Sequence, residues 1–113
     1  MTTDAALIDP NNAVDFLIAV AGKFAAAKSE RVYLEEFRKT KKALLMNLSP
    51  ERSAVAREQY AYSHPEYQQL LEGLRAAVEA EETLKFKIIA AQLRVEVWRS
   101  QNANNRGQDR VMR

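Results

Sequence analysis

The chain of 113 residues has no cysteine, one histidine, three glycines and three prolines. Without cysteine there can be no disulfide, no thiolate metal site and no cysteine nucleophile. A cysteine-free composition fits a reducing cytoplasm, and a cytoplasmic location is the expectation here. With His64 alone, no two-histidine metal site can form within one chain, and no catalytic role is expected of that histidine. The glycines stand isolated at positions 22, 73 and 107, so no phosphate-cradling loop is present. The apolar run from Val14 to Ala27 is interrupted by Asp15 and Lys23 and is too short to span a bilayer. The opening MTTDAALIDP has no basic n-region, so no secretory signal and no membrane attachment are expected.

What is present favours helix. Alanine, glutamate, lysine, leucine and arginine dominate, with 47% apolar and 28% charged residues. One domain of this length buries roughly two-thirds of its unfolded surface. Asp9-Pro10-Asn11-Asn12 reads as a helix start. Apolar positions Val14, Leu17, Ile18, Ala21, Phe24 and Ala25 follow at helical spacing, then Val32, Leu34, Phe37, Leu44, Leu45 and Leu48. Lys28-Ser29-Glu30 is a weak point with no breaker. Ser49-Pro50 and Ser63-His64-Pro65 each carry a capping residue and a proline suited to a first helical turn. His64 is expected to serve in the second turn. Asn102-Ala103-Asn104-Asn105 and Gly107 read as the end of the last helix. The expected fold is all-α: helices at about 11–48, 50–62 and 65–101 form a single domain over 1–100, an elongated antiparallel hairpin or bundle with a short connecting helix. A flexible basic tail, 102–113, follows.

The last helix carries a seven-residue pattern. One row is Tyr67, Leu74, Glu81, Ile88 and Val95; the other is Leu70, Ala77, Leu84, Ala91 and Trp98. Only Glu81 breaks this apolar seam, as in a coiled coil or bundle. A second stripe, Phe86, Ile89, Leu93 and Val97, lies in the C-terminal half, which therefore needs more than one neighbour. A helix of this length is roughly 50 Å long, whereas a compact globule of this size is about 35 Å across. Either the first helix lies antiparallel along the rod, or a second chain covers it, or both, giving an elongated hairpin that dimerises.

Charge is unevenly spread. Residues 1–27 sum to −2, 28–48 to +3, 65–100 to −1 and 101–113 to +2. The acidic first half of the last helix (Glu66, Glu72, Glu79, Glu81, Glu82) would match its basic second half (Lys85, Lys87, Arg94, Arg99) in an antiparallel copy, or the cluster Arg38–Lys42 in the same chain. Glu79, Glu81 and Glu82 are read as a solvated acidic face, not a metal site, because adjacent helical residues diverge. Tyr60, Tyr62 and Tyr67 are expected to pack a helix corner in preference to stacking on bases.

Residues Glu58-Gln59-Tyr60-Ala61-Tyr62-Ser63-His64-Pro65-Glu66-Tyr67, with Glu96-Val97-Trp98-Arg99-Ser100 downstream, resemble small helical proteins carried by tailed phages and prophages. The resemblance covers residues 58–106. It implies an accessory protein without catalytic residues. No enzyme activity and no cofactor are expected. The leading expectation is a protein-interaction module, a homodimer or higher oligomer, that assists or inhibits a host or phage DNA-processing machine. Its contact residues would be Leu74, Leu84, Ile88, Leu93, Val95, Trp98 and Arg99. The alternative is a single-stranded nucleic-acid accessory protein using Arg38, Lys39, Lys41, Lys42, Arg106 and Arg110.

Overall fold

The computed structural model describes residues 9–112. The reading of the opening segment and of Arg113 falls outside them. Three helices and no strand occur among the described residues: α1 (Pro10–Leu48), α2 (Ala54–Ser63) and α3 (Pro65–Met112). None is long and apolar enough to cross a membrane.

α1 opens as its sequence suggests. Asp9 accepts a hydrogen bond from the Asn11 amide at 2.9 Å through Oδ1, and its carbonyl accepts from Ala13. The helix then runs unbroken through Lys28-Ser29-Glu30. Its end differs from a simple serine-proline cap. Ser49 donates its amide to the Met46 carbonyl, and its hydroxyl accepts from the Glu51 amide at 3.1 Å, which makes a turn and not a helix start. α2 begins four residues after Pro50, where Ser53 takes an extended conformation and accepts from the Ala56 amide at 3.1 Å. The five-residue connection allows Arg57 to reach back and donate to the Met46 carbonyl at 3.3 Å, which helps satisfy the exposed end of α1.

His64 separates α2 from α3. Its amide donates to Ala61, closing α2, and its Nδ1 accepts from the Glu66 amide at 3.1 Å, opening α3. One residue thus caps both helices, and Pro65 takes the first helical position.

α3 does not stop at residue 101. It continues through Asn102–Asn105 and Gly107 to Met112. Asparagine and glycine each cost at most about 1 kcal/mol in a helix, and a helix already nucleated upstream extends at no further nucleation cost. Only proline breaks the ladder outright, and none occurs after Pro65.

The chain divides into two compact units. One joins the start of α1, up to Lys23, with the chain from Thr83 onward; the other is Phe24–Glu82. In the second unit the core gathers where α1 ends and α3 begins. Leu45, Ala61 and Tyr67 are buried together, with Met46 and Leu71 against them. Tyr62 meets Tyr67 edge-on at 5.3 Å, so these tyrosines pack the corner.

Burial along α3 follows the heptad. Tyr67, Ala77 and Ala91 are buried, and Leu70, Leu74, Glu81, Leu84, Ile88 and Val95 are partly covered. Of the ten seam positions only Trp98 is exposed. α1 carries a matching pattern at Ala13, Val20, Ala27, Leu34 and Lys41 and at Leu17, Phe24, Arg31, Arg38 and Leu45, where only Arg38 is exposed. Several larger aliphatics of α1, including Val14, Ile18, Val32, Leu44 and Leu48, face solvent instead.

Candidate functional site: the outward face of α3

The charge inside the α3 seam has a partner. Arg31, on the covered row of α1, donates from Nε and a terminal nitrogen to the two oxygens of Glu81 at 2.6 and 2.9 Å. Its other terminal nitrogen donates to Glu35 at 3.0 Å. The Glu81 side chain is only 12% exposed. Glu81 is therefore not part of a solvated acidic face. It sits on a covered row and is held by a two-pronged guanidinium. The hydrogen bond to Glu81, then that to Glu35, pushes the Arg31 pKa further up against partial desolvation, so the guanidinium stays charged. Glu81, the one charge in the α3 seam, is thus answered by Arg31, one of three cations on the α1 rows of this unit.

Arg31→Met is expected to destabilise the protein, because Glu81 would keep its covered position without the guanidinium that holds both its oxygens. Arg31→Met/Glu81→Met should recover much of that loss. Urea denaturation of the four proteins in this cycle measures the coupling. The exposed Arg75–Glu72 pair should give a coupling near zero. Equal coupling in the two cycles would contradict a special role for Arg31.

The basic cluster of α1 is also largely engaged. Lys41 pairs with Glu66 at 3.4 Å, Lys42 with Glu58 at 3.7 Å and Lys39 with Glu36 at 3.5 Å. Lys42 also lies 4.7 Å from the centre of the Tyr62 ring. Tyr62, ahead of Glu58, raises the Lys42 pKa. Arg38, Lys39, Lys42, Tyr62 and Tyr67 line a small open cleft. Of the four cluster cations, Arg38 is the one without an ion pair among the described residues. Arg106 and Arg110 are exposed near the end of α3. A phosphate at the α1 cluster would have to compete with three carboxylates already in place.

The residues proposed from sequence for partner contact fall into two sets. Leu74, Leu84, Ile88 and Val95 are partly covered, on the seam side of α3. Leu84, Ile88 and Val95 lie in the unit whose only other described helical segment is the start of α1, and Leu74 lies in the unit of residues 24–82, so in each case the coverage comes from within the chain. Leu93, Trp98 and Arg99 are exposed.

The outward stripe stands apart from the seam. Phe86 is 64% exposed, Leu93 59%, Val97 44% and Ile89 38%. Their spacing of three and four residues puts them along one line on α3. At 100° per residue that line is centred on the side opposite Leu84, Ile88, Ala91 and Val95. Single exposed apolar residues are ordinary, but four large ones in a row make this line a candidate interaction surface. Beside them Lys85, Lys87 and Arg94 have no ion-pair partner among the described residues, whereas Arg99 pairs with Glu96 at 3.2 Å.

No group of three or more histidine, aspartate or glutamate side chains comes together among the described residues. Comparison of the sequence with protein-family models and curated proteins, and of the fold with solved structures, returned no match.

Proposed function

We propose that this protein is a non-enzymatic helical interaction module that works by helix-face recognition. In this reading α1 and α3 form an antiparallel hairpin. The pairings support it: Arg31 meets Glu81, whereas Lys41, later in α1, meets Glu66, earlier in α3. The hairpin closes the inner seam of α3 within one chain and leaves the outer stripe for another helix. The observation that carries the proposal is the run of exposed apolar side chains at Phe86, Ile89, Leu93 and Val97.

In the purified protein the docking helix is that of a second copy, giving a homodimer. A phage accessory protein or inhibitor acting on a DNA-processing machine is the setting that the resemblance over residues 58–106 implies. The module would then act by occupying a helix-binding surface of its target, not by chemistry on a substrate.

Sedimentation equilibrium in the micromolar range tests self-association. Because the stripe is apolar and its unpaired neighbours are basic, added salt should tighten the dimer by screening like charges. A copy held by acidic halves against basic halves would instead loosen with salt. A monomer at every concentration and salt level would contradict homodimerisation through the stripe.

A further inference from the structure

A cleft in the same unit borders the stripe. Asn12, Ala13 and Phe16 of α1 line one side, and Lys87, Ala90, Ala91 and Arg94 of α3 line the other. Its volume is about 360 Å³. Lys87, Ala90 and Arg94 follow one another at three- and four-residue spacing, on a line next to Phe86, Ile89, Leu93 and Val97. The alanines let another backbone come close, while two cations stand on either side of them.

Charge complementarity identifies what fits. The unit made of residues 1–23 and 83–113 has eight lysines and arginines against five acidic residues, a net charge of +3. The unit of residues 24–82 has nine against ten, a net charge of −1. Ion pairs are concentrated in the second unit, where Arg31, Lys39, Lys41, Lys42 and Arg75 each face a carboxylate. Lys87 and Arg94 have none among the described residues. A second copy docked through the same unit would bring that unit's positive charge against itself. An acidic helix would not.

We infer that this cleft receives an acidic amphipathic helix of a partner protein. Two carboxylates spaced seven residues apart, roughly 10 Å along the helix, meet Lys87 and Arg94. The apolar side chains between them lie over Ala90 and against the stripe. This inference rests on the interaction-module reading and names the partner's chemistry. Nucleic acid shares the negative charge, but the alanine floor and adjoining aliphatic row suit apolar side chains better than phosphates.

The test uses the full chain and three fluorescent probes: a synthetic amphipathic peptide with glutamates seven residues apart flanking leucines, the same peptide with lysines in their place, and oligothymidine. Fluorescence anisotropy at low salt reads the binding. The glutamate peptide should bind more tightly than either other probe and weaken as salt rises. Lys87→Glu/Arg94→Glu should weaken it roughly tenfold or more, while Lys28→Glu, an exposed charge reversal in the other unit, should leave it unchanged. Circular dichroism checks that the double variant keeps its helix. Equal binding of the two peptides, indifference to the double reversal, or preferential binding of oligothymidine would overturn the inference. If the glutamate peptide fails to bind but Phe86→Ser/Leu93→Ser still abolishes self-association, the acidic partner is lost and the interaction module stands. If neither result appears, both fall.

Discussion

Leu45→Ala is expected to cost about 2–4 kcal/mol, the largest stability loss foreseen for a single substitution in this chain. Leu45 is the largest fully buried side chain among the described residues, at 1% exposure, and it packs where the end of α1, α2 and the start of α3 converge. Truncation removes its transfer free energy and leaves a cavity that three helices cannot easily close. Total stability for a domain of this size is on the order of 5–15 kcal/mol, so the melting temperature should fall by roughly 10 °C or more. Leu48→Ala, one turn later but 68% exposed, should change stability by about 0.5 kcal/mol or less. Thermal unfolding followed by circular dichroism separates the two. Similar losses would mean that the corner is not the core.

The second large effect concerns association. Phe86→Ser/Leu93→Ser should raise the dimer dissociation constant by about 100-fold or more. Burying a large apolar side chain gives about 1.5–3 kcal/mol, and each substitution is present twice in a symmetric dimer. Both residues are more than half exposed in one chain, so helix content should hardly change. Serine in place of phenylalanine or leucine lowers helix propensity by only a few tenths of a kcal/mol. Unchanged self-association with intact helicity would remove the stripe as the interface.

The sequence made some of this architecture legible. The α3 heptad and the His64–Pro65 boundary were visible because large apolar residues recur there and because proline allows few alternatives. The outer stripe was visible for the same reason. The partner of Glu81 was not. A charge in an apolar row looks like a defect until its counter-charge is found, and Arg31 lies fifty residues earlier, where no local pattern marks it. The covered rows of α1 were obscured in a related way. They contain alanines, Arg31, Arg38 and Lys41, while bulkier Val14, Ile18 and Leu44 sit on neighbouring lines. Periodicity weighted by hydrophobic size therefore pointed partly to the wrong face. Closely approaching helices select small side chains, which such weighting undervalues. The Ser49-Pro50 boundary was placed correctly as a break, but Ser53 offered a second cap, and the reach of Arg57 to Met46 accompanies its use. The extension of α3 past residue 101 reflects how weakly asparagine opposes a helix already formed.

The contact set proposed from sequence mixed two faces for the same reason. Leu74, Leu84, Ile88 and Val95 belong to the row that the chain covers by itself, whereas Leu93 and Trp98 remain open. Those covered positions do not call for a second chain to protect them. The case for a partner rests instead on the opposite side of α3.

Intrachain closure of the seam, on which the account depends, can be tested directly because the protein has no native cysteine. Ala13 and Ala91 line the same cleft from α1 and α3. In Ala13→Cys/Ala91→Cys, a short bis-maleimide should join the two cysteines within one chain, at a yield independent of protein concentration, and leave the product at monomer mass under denaturing conditions. Cross-linking that occurs only between chains, and rises with concentration, would contradict the hairpin and the assignment of the outer stripe as the binding face.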